Sequence, residues 1–433
     1  MPTAIASHAM RGPFSDLSAA QRQWRYRVFA ATWLSYVGFY FCRKPFSIAK
    51  ADLGRANGFD ADLLGQIGAA YLIAYTLGQF ASGAIGPRFG PRRMLLAGMA
   101  ISSATALLFG AVTAAWAFGA VMVVNGLAQA TGWSNNLGVM AQWFRRPERG
   151  RVMGLWSTNF QVGGVAANAL AAFSLAHFGL SWSFWSGAVA LCAVIAVFWF
   201  NQADEPRDVG LPAIVTDEMS DTSAASDRSG IRWDAQVWTS VVLVGGAYFG
   251  MKFIRYALWS WAPYVLSNNF QLNGDDAGYV STAFDLCGIA GVIATGYLSD
   301  RFFGGRRALI SFVMLIGLVG ATALLLTVGA SSVTAFATCI GLVGFALFGP
   351  DALLTGAGAM DIGKGRGAVR AAGIISGLGS AGSVVQELVI GKSYASTGGA
   401  IGPILVMLLG SALLAAVCVA VILVRNRRGA SDV

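Results

Sequence analysis

Residues Trp33–Pro45 read WLSYVGFYFCRKP, an apolar helix that runs into two cations, Arg43 and Lys44. Tyr36, Tyr40 and Arg43 stand at i, i+4 and i+7, which puts two phenols and a guanidinium on one helical face. An arginine near the middle of a bilayer costs roughly 2.5–3.5 kcal/mol on insertion scales. It therefore turns toward water, a partner or an anion. The competing reading is a snorkelling pair at a span end, because Pro45 follows at once. The second half of the chain carries a counterpart, GMKFIRYALWSW at 250–261. There Lys252 and Arg255 share a face at i, i+3.

The composition around these stretches belongs to a membrane protein. Of 433 residues, 56% are hydrophobic and 12% charged, against about 25% charged in an ordinary soluble chain. Mean hydropathy is +0.61. The 55 glycines suit close helix approach in lipid. No long alternating run of the β-barrel type is present. The net charge of +9 resides in short loops, the pattern of cytoplasmic loops rather than of a nucleic-acid surface. Five cysteines in apolar segments and two histidines outside them offer no disulfide frame, metal site or catalytic histidine. No cofactor is expected.

Windows of about 20 apolar residues predict twelve spans. Residues 1–27 form a polar N-terminal segment without a cleavable signal. Residues 28–200 hold six spans: about 28–44, 64–85, 94–115, 118–141, 153–175 and 181–200. The first is followed by a mixed-charge loop to about Asp62. Residues 201–236 form a polar linker, mobile at least over Ser220–Gly230. Residues 237–424 hold six more: about 237–266, 278–298, 309–328, 333–354, 369–390 and 401–424, and 425–433 is a basic tail. Basic loops alternate with poor ones, so both termini are expected on the cytoplasmic side. GAIGPRFGPRR after span two is echoed by GYLSDRFFGGRR after span eight. Six spans, a linker and six spans is a major facilitator architecture, all-α and polytopic. GAMDIGKG at 358–365 nearly spells a phosphate loop, but lacks the following Ser or Thr and a preceding strand.

In order along both halves, SYVGFYFCRKPFS, GWSNNLGVMAQWF with ERG, LWSTNFQVGG, DEPRDVGL and FIRYALWSWAP resemble the organophosphate:phosphate antiporter family. That resemblance implies exchange of an organic phosphate or phosphonate for inorganic phosphate, in a bacterial inner membrane; because each chain holds both halves, a monomer is expected to suffice. It implies that Arg43 and Arg255 clamp phosphate, and that Tyr36, Tyr40, Tyr75 and Trp133 line the pocket. It implies that Asp285 pairs with span one. The chain departs from the family at Gln79 (a lysine there), Phe160 (a histidine), Lys252 (a tyrosine), Ser260 (a carboxylate) and Ser380 (a tyrosine). The cation lost at Gln79 is offered again at Lys252. In the repeated loop motif, Asp300 and Arg301 keep the family's Asp–Arg order, and Gly86–Pro87–Arg88 does not.

From the residues alone the alternatives stay open. Lys252 contacts ligand or pairs with Asp285 or Glu387. Asp285 and Glu387 are ion-pair partners, proton carriers or readers of a substrate cation. Asp351, beside Pro350, serves packing or the site, and Lys44 serves gating. Arg fits a phosphate face with a planar fork, where Lys offers a point charge. The competing functions are a proton-coupled carrier of another small anion and a non-transporting sugar-phosphate sensor. An enzyme is not expected.

Overall fold

The computed structural model describes residues 17–144, 152, 155–214, 235–302, 307–354 and 366–428. Its first helix, α1 (Ala19–Phe41), starts at a capping box between Ser18 and Gln21. It stops where Pro45 has no N–H for the Phe41 carbonyl and its ring would clash there. The Arg43 and Lys44 amides both donate to the Tyr40 carbonyl, and the chain resumes as α2 (Pro45–Ile48). Then comes α3 (Lys50–Asn57), which Gly58 ends in the left-handed region at φ 68°.

This corrects the sequence reading of the first span. The loop expected after Pro45 is helix, because proline is well placed at the first position of a resumed helix. Phe46, Ile48, Lys50 and Leu53 are buried there. At 1.5 Å per residue, Arg43 lies about 24 Å beyond Arg27 and about 21 Å before Asn57. It is a mid-depth residue of a broken span, not a snorkelling side chain at its end.

Eleven further rods follow among the described residues. In the first half they are α4 (Ala61–Phe89), α5 (Pro91–Phe109), a rod broken at Ala130 into α6 (Ala115–Gln129) and α7 (Thr131–Trp143), α8 (Asn159–Phe178) and α9 (Leu180–Asn201). In the second they are α10 (Ala235–Asn269), a rod broken at Thr282 into α11 (Gly274–Ser281) and α12 (Ala283–Phe302), α13 (Arg307–Val328), α14 (Val333–Ala352), α15 (Arg366–Ser396) and α16 (Gly402–Arg427). The two basic repeats fall at matching junctions, α4–α5 and α12–α13.

Eight described helical runs are long and apolar enough to cross a membrane. All six rods of the second half qualify, but only α5 and α9 of the first. Of the remaining rods of the first half, two are broken, α4 buries Tyr71 and Ser82, and α8 buries Asn159, Asn168 and Ser174.

The segment after α9 is not loose at its start. The Trp143 indole donates to the Ala203 carbonyl, and the Asp204 carboxylate accepts the Arg92 amide at the head of α5. The rest of the expected linker, 215–234, lies outside the described residues, as does GAMDIGKG.

The halves meet where α2 and α3 touch α10, where α8 touches α11 and α12, and where α4 lies along α15. Gly65 and Gly391 make that last approach possible. A Cβ on Gly65 would sit 2.7 Å from the Glu387 carbonyl oxygen and 3.2 Å from the Gly391 Cα. Among the described residues, every hydrogen bond and ion pair joining the halves lies between mid-depth and the end remote from the termini. The bundle is therefore sealed at that end.

Candidate functional site

The break in the first span creates the first part of the site. It frees the Cys42 carbonyl, which accepts from Asn125 Nδ2 at 3.1 Å. One turn on along α6, Gln129 Nε2 donates to Asn125 Oδ1 at 3.2 Å, which fixes the Gln129 amide with its oxygen outward. That oxygen takes Arg43 Nε at 2.8 Å and the Tyr71 hydroxyl at 3.0 Å. The Arg43 guanidinium also lies over the Tyr40 and Tyr75 rings, at 5.0 and 4.8 Å. Its Nη2 is buried and has no hydrogen-bond partner. Among the described residues no carboxylate pairs with it.

The second half presents its cations differently. Arg255 lies near the middle of α10 and pairs through Nη1 with Asp351 of α14, in the turn that Pro350 loosens. Its side chain is 15% exposed and stacks toward Tyr256 and Trp259, at 5.6 and 5.3 Å. Lys252, one turn earlier, donates to Ser380 Oγ of α15 at 3.1 Å. It therefore pairs with neither Asp285 nor Glu387, and lies within Coulombic range of Arg43, Arg255 and Asp351.

Rings connect the two arginines. Tyr40, beneath Arg43, meets Trp259 edge-on at 6.2 Å, and Trp259 lies under Arg255. Tyr40 is within Coulombic range of both guanidiniums. Tyr256 and Trp259 also line a cavity of about 60 Å³ whose wall includes Arg43, Lys44 and Glu387. The two halves thus share one small cavity that runs from the level of Arg43 toward the end remote from the termini; Arg255 and Lys252 lie beside it rather than in its lining.

Two ion pairs cross between the halves beside it. Lys44 Nζ lies 3.7 Å from Asp285 Oδ2, over the Trp259 ring at 4.4 Å, and the Trp259 indole donates to Asp285 Oδ1 at 2.8 Å. Asp285 thus faces Lys44, at the break of the first span. Deeper toward the seal, Lys50 is 2.7 Å from Glu387, with side-chain exposures of 0% and 2%. The Ser260 hydroxyl, the Trp261 indole and the Gln386 amide all reach the same carboxylate. Lys50 sits in a segment read as loop, so the sequence reading missed it.

Toward the terminal end an aromatic wall continues from Tyr40. Tyr36 packs edge-on against Trp133 at 5.6 Å and Phe160 at 5.3 Å, and Trp133 meets Phe160 at 5.2 Å. Trp133 and Phe160 are half-buried. Gln79 is half-buried one turn past Tyr75 and hydrogen-bonds no described side chain. The side chains of Asp300 and Arg301 lie outside the described part.

The sequence model of the Major Facilitator Superfamily matches residues 28–385. The chain belongs to that superfamily. It is 28% identical over 439 residues to the glycerol-3-phosphate transporter of Bacillus subtilis, covering 96% of each chain. It is 27% identical over 349 residues to the membrane sensor protein UhpC of Escherichia coli, covering 78% of this chain and 79% of that one. Within the superfamily it falls in the organophosphate:phosphate antiporter family. A solved bacterial homologue of the human lysosomal transporter Spinster, inward-facing and unoccupied, matches with a TM-score of 0.71 at 13% identity. That match covers 95% of this chain and 99% of the other, and it is a likeness of fold. This member of the superfamily is an integral, multi-pass membrane transporter and not an enzyme.

Lys50, Gln129, Tyr71, Tyr256 and Trp259 escaped the sequence reading, as did Asn125 as an orienting group. The amides left a legible signal. Asn125 and Gln129 stand at i, i+4 inside an otherwise apolar run, on one face of the helix.

Proposed function

We propose that this transporter exchanges an organic phosphate or phosphonate for inorganic phosphate, with the phosphate held at Arg43 and reached from the other half by Arg255 and Lys252. One observation carries the reading: a buried guanidinium nitrogen, Arg43 Nη2, left without a partner at the wall of a chamber both halves share. A phosphate monoester carries nearly two negative charges and three acceptor oxygens near neutral pH. Arg43 meets it without first giving up an ion pair, because its partner Gln129 is neutral. The positive-inside pattern sets the termini in the cytoplasm, so the sealed end faces outward and the chamber belongs to an inward-facing state. Rocking of one half on the other then separates the far seal and presents the chamber outward.

The test is counterflow of labelled phosphate in proteoliposomes. Self-exchange driven by trans phosphate, without a proton gradient, is the expected result. Uptake that follows a pH gradient and ignores trans phosphate would replace this reading with a proton-coupled carrier. Asp285 and Glu387 are each tied to a lysine, which favours a structural role for both. The likeness to a membrane sensor supplies the second reading. Ligand binding with no exchange at any concentration would support it.

A further inference from the structure

We infer that Gln386 of α15 reads the organic end of the substrate, its amide oxygen accepting from a hydroxyl on a short chain seated between Arg43 and the sealed end. This rests on the function just proposed. Of the residues that line the cavity of about 60 Å³, two keep a buried polar atom with no partner in the protein: Arg43 at Nη2 and Gln386 at Oε1. The first is a charged donor suited to an anion. The second is a neutral acceptor suited to a donor.

The Gln386 oxygen is held bare by its own nitrogen. Nε2 donates to the Ser383 carbonyl at 3.0 Å and to Glu387 Oε2 at 2.9 Å. Turning the amide over would lose both bonds and set its oxygen against the carboxylate. Glu387 cannot take the reading role instead. Its Oε1 accepts from Lys50 and the Ser260 hydroxyl, and its Oε2 from the Trp261 indole and Gln386, so its lone pairs are filled. Lys44 also lines the cavity, which suits a neutral hydroxyl better than an ammonium.

Helix α4 gives the spacing. Tyr71 shares the Gln129 oxygen with Arg43, and Gly68, one turn nearer the sealed end, lies against Glu387, whose carboxylate a Cβ there would strike. Three residues of helix rise about 4.5 Å. With phosphate at Arg43, that step reaches a hydroxyl on the second or third carbon of an ester. Leu72, Met122 and Phe184 give the carbons between an apolar wall. A buried water needs about 10–15 Å³ of such space, so the cavity holds about four water-sized groups. A glycerol-sized chain fits there, and a hexose ring does not.

The experiment is competition against labelled phosphate self-exchange in proteoliposomes, with the wild type and Gln386→Leu. The competitors are glycerol 3-phosphate, propyl phosphate (the same chain without hydroxyls), 2-aminoethyl phosphate and glucose 6-phosphate. The wild type is expected to favour glycerol 3-phosphate over each of the others by about tenfold or more. In Gln386→Leu the preference for glycerol 3-phosphate over propyl phosphate should fall by about tenfold, toward equality. A merely structural role, the support of Glu387, would weaken both competitors alike and leave their ratio where it was. If Gln386→Leu does not purify, Gln386→Met, unbranched and close in length, carries the same expectation. A wild type that takes propyl phosphate as well as glycerol 3-phosphate, or an unchanged ratio in the variant, overturns the inference. So does a wild type that prefers 2-aminoethyl phosphate or glucose 6-phosphate. A wild type with no phosphate exchange at all rejects the proposed function instead.

Discussion

The two halves place an arginine at the same depth and restrain it in opposite ways. In the first half a neutral amide, Gln129, takes one nitrogen of Arg43 and leaves another bare. In the second a carboxylate, Asp351, takes Nη1 of Arg255, whose buried Nε is bare as well, so the two differ in the charge of the partner. Identical side chains therefore enter ligand binding with different costs. Arg43 offers its fork outright, whereas Arg255 must share or release an acid first. The difference also extends to the scaffold. Four rods of the first half fall short of an apolar span by length or composition, while every rod of the second passes. The first half supplies breaks and amides, and the second supplies a more apolar frame with its charges neutralised in place.

The sharpest way to break this comparison is to delete each guanidinium. Arg43→Ala should reduce phosphate affinity on the order of a thousandfold, since it removes two charge-assisted hydrogen bonds from a desolvated site. Arg255→Ala should also bind poorly, for a second reason: it removes the cation that offsets Asp351 near the ligand. Adding Asp351→Ala should then recover part of the loss, whereas no single carboxylate change should rescue Arg43→Ala. Isothermal titration with phosphate in detergent reads both. Equal rescue, or none, would show that the two arginines are equivalent after all.

The next effect concerns the pair that joins the halves. Lys50→Met leaves Glu387 buried beside Ser260 and Trp261 with no cation, which costs about 3–5 kcal/mol of stability. Pairing it with Glu387→Gln removes the stranded charge and should restore most of the melting temperature. Thermal unfolding of the two variants in detergent decides the matter. A single variant as stable as wild type would mean the seal does not depend on this ion pair.

How much of this was legible follows from the same contrast. The span count, the halves and the residues Arg43, Arg255, Lys252 and Asp285 follow from hydropathy and from charge set in apolar runs. Lys50 does not, because the segment KADLGRAN is polar and follows a proline, both signs of a loop. Only tertiary packing shows that Pro45 begins a helix rather than ending a span. The choice of Asp351 as the partner of Arg255 was equally hidden. Several carboxylates were within conceivable reach, and periodicity on one helix says nothing of which face of another it meets. Gln129 was hidden more thinly, since a lone amide in an apolar helix reads as a tolerated polar residue until Asn125 is seen beneath it.

Replacing each arginine by lysine gives a smaller and more discriminating effect. Arg43→Lys keeps the charge but loses the fork and the Gln129 bond, so exchange should fall by at least about tenfold. Arg255→Lys should fall less, because a lysine still balances Asp351. Initial rates of phosphate self-exchange measure both. Equal losses would mean that geometry, not charge balance, governs the second site.

The smallest effect is expected at Gln79, and it tests where the chamber's organic end lies. Gln79 is one turn beyond Tyr75, whose ring Arg43 covers at 4.8 Å, so a lysine there would stand on the terminal side of the phosphate subsite. It would add a positive charge without touching the bonds that hold Arg43. Phosphate affinity should then change only about two- to threefold, because the added ammonium is long, flexible and partly hydrated. Relative preference among phosphate esters should shift more, and toward esters with acceptor groups near the phosphate. Competition by an ester panel against labelled phosphate separates the two quantities. If neither moves, Gln79 faces away from the chamber. If phosphate affinity moves as strongly as it does in Arg43→Ala, the phosphate subsite extends further toward the terminal end than Arg43 marks.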